Sequence, residues 1–200
     1  MCNDFGNRIS YRTYVEEFSQ IRLPLLIPKP ESAPNLEPRD EIWPTDPAPV
    51  IRPIEGGVAL EQLQWGLAPG RPKARAVINM RSERRAFTRG RCLVPASHYY
   101  EFTGTKSPKT RWRFTRIGQD WFCFAGLIGR GDSKTGPVDA FTLLTCDAGP
   151  DAAPIHDRQP VILERDQWAA WLNGSADSRD LLRPSPAGTL SVVNAPREAA

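Results

Sequence analysis

Four residues in this chain could do chemistry together: Cys2, Asn79, Glu101 and His156. Cys2 follows Met1 directly. Removing that methionine would leave an α-amine and a thiol on adjacent carbons. Such a 1,2-aminothiol condenses with an aldehyde to an imine, and the thiol then closes a thiazolidine ring. An α-amine titrates near ~8, so roughly a tenth is the free nucleophile at neutral pH. Glu101 sits between aromatics in His98-Tyr99-Tyr100-Glu101-Phe102. A carboxylate in such surroundings has a raised pKa, which suits a general acid or base. His156 follows Pro154-Ile155, and a histidine works in either direction near neutrality. Asn79 ends the apolar run Val77-Ile78. Taken singly, each has an ordinary structural reading: a helix cap, an arginine partner, a core histidine.

These residues are far apart in sequence, so a fold must gather them. The chain has 200 residues, 40% hydrophobic and 24% charged, which reads as one soluble globular domain over residues 1–200, with about 195–200 a short tail. Proline is abundant, at 20 residues, about twice the usual ~5%. That disfavours long helices and suits loops and edge strands. Strands are expected around Pro49–Ile54 and Val58–Trp65, joined by a turn at Glu55-Gly56-Gly57, and at Ala76–Ile78. Others are expected at Cys92–Val94, His98–Phe102, Arg111–Arg116, Trp121–Ile128, Ala140–Cys146 and Leu190–Val193. Ser10 is placed to cap a short helix in which Tyr14, Val15 and Phe18 share a face. Further helix is expected over Ser82–Phe87 and over Asp166–Leu172, the latter capped by Asp166. The proline-rich stretch from Leu23 to Pro53 reads as an extended wrap. The fold class is α+β: a curved, barrel-like, mostly antiparallel sheet with a few peripheral helices.

Composition narrows the partners. Residues 71 to 116 hold ten Arg and three Lys against Glu83 and Glu101, a net of +11 in a chain of net +3. Phe87, Tyr99, Tyr100, Phe102, Trp112 and Phe114 interleave with them. Arginine with aromatics is how proteins grip single-stranded nucleic acid. Cys2, Cys92, Cys123 and Cys146 form no CxxC pair, and the chain has only two histidines, so no metal site is expected. Cys92, Cys123 and Cys146 read as buried strand residues. No run reaches the ~18 apolar residues of a membrane span, and the N-terminus lacks an apolar signal core. A cytoplasmic setting follows as the expectation.

The chain resembles the SOS-response-associated peptidase family, whose members process abasic sites. The resemblance rests on Met1-Cys2, Trp65-Gly66-Leu67-Ala68-Pro69, Ile78 to Glu83, Arg91 to Ala96, Tyr99-Tyr100-Glu101, Phe124 to Leu127, Thr142 to Thr145 and Ile155 to Leu163, in family order. It implies covalent linkage of Cys2 to abasic sites in single-stranded DNA, self-cleavage that exposes Cys2, and DNA-damage function. It implies catalytic roles for Cys2, Asn79, Glu101 and His156, and DNA contacts at Arg81, Arg158, Trp65, Phe102 and Thr145. It implies no cofactor and a monomer. The chain departs from the pattern at Asn3 and Asp4, where the family usually has Gly-Arg. A carboxylate there is expected near the DNA path. Two other readings remain: a cysteine peptidase or hydrolase with Cys2 as nucleophile, and a non-catalytic single-strand-binding module.

Overall fold

The computed structural model describes residues 2–26, 36–71 and 73–197. Part of the proline-rich stretch, residues 27–35, therefore lies outside the described residues.

A five-stranded barrel forms the centre. Its strands are β3 (Pro47–Ile54), β4 (Gly57–Trp65), β6 (Arg91–Ala96), β9 (Phe122–Ser133) and β10 (Gly136–Asp147). They pair in the order β10-β4-β3-β6-β9, and β9 pairs back to β10, which closes the ring. The β10–β4 pairing is parallel and the other four are antiparallel. The β3–β4 hairpin turns through two residues, with Ile54 opposite Gly57 and Gly56 at φ +80°, which a residue without a Cβ adopts freely. Pro47, Pro49 and Pro53 alternate along β3, so their missing N–H groups fall on one edge. That edge meets β6 at a single pairing, Ile51 with Leu93, and few donors are needed there.

A second, antiparallel sheet runs β13 (Leu190–Asn194), β8 (Thr110–Arg116), β7 (His98–Thr103), β1 (Phe5–Asn7), β2 (Arg39–Ile42). Period-two alternation gives the barrel wall two apolar faces. Phe122, Phe124, Phe141 and Leu143 pack with Phe5, Tyr99 and Phe114 of the second sheet. Cys123, Ala125, Leu127 and Leu144 face a core that also contains Tyr14, Phe18, Trp168 and Trp171. Those four lie on α1 (Tyr11–Gln20) and α2 (Gln167–Asn173). Ser10 caps α1 as its position suggests, its hydroxyl accepting from Thr13 N at 3.2 Å. A short α3 (Ser178–Leu181) follows.

Strand β10 outlasts its barrel neighbours. Where β4 ends, β5 (Asn79–Arg81) takes its place in parallel, with Asn79 opposite Leu143 and Arg81 opposite Thr145. On the other edge β11 (Arg158–Pro160) pairs with Thr145, Cys146 and Asp147, and β12 (Ile162–Leu163) pairs with β9. The overhang thus presents Asn79 on one side and the run after His156 on the other.

Four local expectations need correction. Ser82–Phe87 is a turn followed by irregular chain, because Ser82 gives both its N–H and its hydroxyl to Thr145 O at 2.9 Å. The strand expected at Ala76–Ile78 is a lone bridge from Val77 to Leu67, and regular pairing starts at Asn79. Asp166 precedes α2 but is itself helical, with φ −69° and ψ −18°, and makes no side-chain cap bond. The wrap from Leu23 to Pro53 contains β2 and β3, so its later part is sheet.

Candidate active site

Cys2 lies just before β1, which sits between β7 and β2 in the second sheet, and is fully buried. Asn79, at the start of β5, donates from Nδ2 to the Cys2 carbonyl at 2.7 Å. Its Oδ1 is buried and accepts no bond among the described residues. The site therefore holds the backbone of residue 2 and keeps one amide oxygen in reserve. The Cys2 thiol donates to Asp4 O at 3.6 Å. Burial pushes this thiol well above its ordinary pKa, and the charge of Glu101 pushes it further.

Glu101 projects from β7 on the same face as Tyr99, toward the core that contains Cys2. Only 4% of it is exposed. Burial raises its carboxyl to about 7, and the charge of Asp157 adds to the rise. Near neutrality it therefore both gives and takes a proton, as its aromatic setting suggests. Tyr99 is buried beside it, and its hydroxyl has no partner among the described residues.

His156 ends a tight turn in which Ile155 N and His156 N both donate to Ala152 O. Its Nδ1 lies 2.9 Å from Arg158 N and 2.7 Å from Asp157 Oδ1. A lone pair on Nδ1 serves the first contact and a proton serves the second, so the two tautomers have different partners. Burial lowers the histidine's pKa, against the pull of Asp157. Asp157 thus pairs with His156 while its charge reaches Glu101. The sequence reading missed Asp157; its place next to a catalytic candidate was the available signal.

The five residues expected to touch DNA divide sharply. Arg81 is exposed and lies two residues from Asn79 on the same face of β5. Phe102 is half-buried and lines a groove of about 620 Å³ with Lys109, Arg111 and Arg197. The other three are turned inward. Trp65 is fully buried between Phe5 and Phe141, and its indole N–H donates to Ile78 O at 2.9 Å. It fixes the residue before Asn79 and offers no surface to a strand. Thr145 is buried and accepts from Arg158. Arg158 pairs with Glu83 and with Asp147 at 2.8 Å and donates to Thr145 O at 2.9 Å. It ties β11, β10 and the turn after β5 together.

The basic segment, residues 71–116, divides in the same way. Arg91, Arg111 and Arg116 are buried, bound to Phe87 O and Trp171 O, to Asp4 and Glu41, and to Glu164 respectively. Arg71, Lys73, Arg75, Arg81, Arg84 and Arg85 are exposed. Asp4 also differs from expectation. Its side chain is fully buried and takes a bond from Arg111 at 3.0 Å, so its carboxylate lies inside the protein. Burial raises it to about 6 against the pull of Arg111. No group of three or more potential metal ligands occurs among the described residues.

The family model described as SOS response associated peptidase (SRAP) matches residues 1–198. The chain belongs to that family. This SRAP chain is 33% identical to the abasic site processing protein YoaM of Bacillus subtilis over 162 residues, 69% of this chain and 71% of the relative. It is 31% identical to the abasic site processing protein YoqW of Bacillus subtilis over 163 residues, 69% of this chain and 72% of that one. A crystal structure of a Bordetella bronchiseptica protein superposes with a TM-score of 0.75 at 25% identity, covering 98% of this chain and 100% of its own. A Bacteroides thetaiotaomicron protein shares the fold at 18% identity, with a TM-score of 0.73 over 96% of this chain and 91% of its own.

Proposed function

We propose that this SRAP protein processes abasic sites in single-stranded DNA by joining Cys2 covalently to the opened sugar. The carrying observation is the Asn79 amide bound to the Cys2 carbonyl at 2.7 Å, beside a buried Glu101 with a pKa of about 7. The names of the relatives point to the same substrate.

The reaction requires Met1 to leave, by self-cleavage or by an outside peptidase, so that the Cys2 amine is free. Glu101 donates a proton to the ring oxygen as the closed sugar opens, and takes one back from the anomeric hydroxyl that becomes the aldehyde. The amine adds to the aldehyde carbon, and its surplus proton moves to the new alkoxide. The hydroxyl of the resulting carbinolamine leaves as water with a proton from Glu101, which then takes up the remaining N–H proton as the neutral imine forms. The thiol then adds to the imine carbon. Its proton passes to His156, and the imine nitrogen takes up a proton. One C–N and one C–S bond form and one water is released. Asn79 fixes the nucleophile's backbone, a proximity effect. Arg81 holds a neighbouring phosphate, which sets register without reading sequence.

In the hydrolase alternative the Cys2 thiol attacks first, with His156 as its base. Burial raises the cost of deprotonating that thiol, whereas the imine route uses the amine first. Incubation with a single-stranded oligonucleotide carrying one abasic site, followed by intact-mass analysis, tests the proposal. The expected product is protein lacking Met1 plus the oligonucleotide minus one water, lost in Cys2→Ala. An adduct that survives Cys2→Ala or a blocked N-terminus overturns it.

A further inference from the structure

Asp4 and Arg111 are 107 residues apart and meet in the interior beside Cys2. Asp4 is fully buried, and its second oxygen has no partner among the described residues. The Arg111 guanidinium lies over the Tyr100 ring, 3.4 Å from its centroid, and the Nη2 that binds Asp4 also donates to Glu41 at 2.5 Å. The backbone of Asp4 is bound as well: its carbonyl accepts from Tyr100 N at 2.9 Å and from the Cys2 thiol at 3.6 Å. A single residue thus receives the thiol at its carbonyl and the cation at its carboxylate. Tyr100 is the neighbour of Glu101 on β7, and Arg111 is the neighbour of Trp112, which faces Glu101 in the β7–β8 register.

We infer that Arg111 is a positioning residue for Cys2, holding residues 2–4 against the strand that carries Glu101 by clamping the side chain of Asp4. The inference rests on the proposed reaction at Cys2. The half-exposed Arg197, 3.8 Å from the same Asp4 oxygen, makes no hydrogen bond to it, so removing Arg111 strips the buried carboxylate of its bonded cation and loosens the three-residue segment. The clamp has three parts: charge for Asp4, a second anion in Glu41, and a ring beneath the flat guanidinium. Lysine supplies the charge but not the flat face that stacks on Tyr100.

The test uses the full chain with Arg111→Met, Arg111→Lys, Asp4→Asn and the Asp4→Asn/Arg111→Met double variant. Three quantities are measured: adduct rate at saturating abasic oligonucleotide, affinity for the undamaged strand, and alkylation of each cysteine by iodoacetamide with peptide mapping. Arg111→Met is expected to slow the adduct at least about tenfold at saturating oligonucleotide, as misplacement of a nucleophile does, beyond any loss of undamaged-strand affinity, which is read separately because Arg111 also lines the groove beside Phe102. Cys2 labelling rises while Cys92, Cys123 and Cys146 stay protected. Arg111→Lys recovers part of both effects. The double variant reacts faster than Arg111→Met, because no buried charge is stranded. Asp4→Asn shows the same changes on a smaller scale and carries the test if Arg111→Met does not fold. Wild-type rate and wild-type Cys2 labelling in Arg111→Met overturn the inference. Equal labelling of all four cysteines also overturns it, since that marks general loosening. If the wild type forms no adduct but Cys2 alone is unmasked in Arg111→Met, the anchoring stands and the cross-linking function falls.

Discussion

The core beneath the helices and the core beneath the second sheet share the same barrel strands, yet burial serves different ends in them. On the helix side Phe18 stacks on Trp168 at 5.4 Å, and Trp171 donates to Cys92 O at 2.9 Å. Cys123 and Cys146 are buried there as small apolar residues. On the sheet side Glu101 and Asp4 border the apolar cluster, with pKa values pushed up to about 7 and about 6. Apolar surroundings stabilise the fold through the first set of contacts. The same surroundings tune proton affinity through the second, at a cost in stability. The cysteines make the contrast plain: all four are buried, but only Cys2 has its backbone held by Asn79.

Separate substitutions break the two regions in different ways. Glu101→Gln has the largest effect on chemistry. It keeps the shape and removes the proton, so adduct formation slows by roughly 10²–10⁴-fold, the usual worth of a general acid or base. Quenched time points on a denaturing gel measure it, and undamaged-strand binding is the control. Trp168→Ala on the helix side costs about 3–5 kcal/mol of stability through the cavity it leaves. Denaturant unfolding measures that loss, while the reaction rate of the remaining folded protein stays near wild type.

The pH dependence of stability sharpens the comparison. Glu101 holds its proton more tightly folded than unfolded, so its contribution favours the fold at low pH. That contribution is complete below 4.5 and is lost as pH rises through about 7. The wild type therefore loses up to about 3 kcal/mol relative to Glu101→Gln over this window. Thermal melts of both proteins at pH 4.5 and 8 read it, and parallel pH profiles count against the assignment. Arg81→Ala has the smallest effect. It weakens all single strands about equally and reduces the salt slope of binding by about 0.7. A sequence-dependent loss in fluorescence anisotropy would contradict a phosphate contact.

Some of this was readable from the residues and some was not. Asn79, Glu101 and His156 stand out because each interrupts an apolar run, and a polar group in such a run needs a reason. The long strands follow from their apolar runs, α1 from its Ser10 cap, and α2 from the spacing of Trp168, Trp171 and Leu172. The three-residue β1 and four-residue β2 are shorter than any pattern can register, and they flank the segment that places Cys2. The resemblance puts Trp65 among the DNA contacts, and only packing reveals that it lies between Phe5 and Phe141. Arg158 reads as a phosphate ligand until Glu83, 75 residues away, is found against it. Pairings across such distances leave no local trace in a sequence.

The burial of residue 2 sets a schedule for protein synthesis. Arg111, which holds Asp4 in place, emerges 107 residues after it. At about 5–20 residues per second, that interval lasts roughly 5–20 s. During it the segment that carries Cys2 waits for β7, and β8 is still incomplete when the interval ends. Once the second sheet assembles, Cys2 is enclosed, so the segment that carries it is among the last parts of the fold to be fixed.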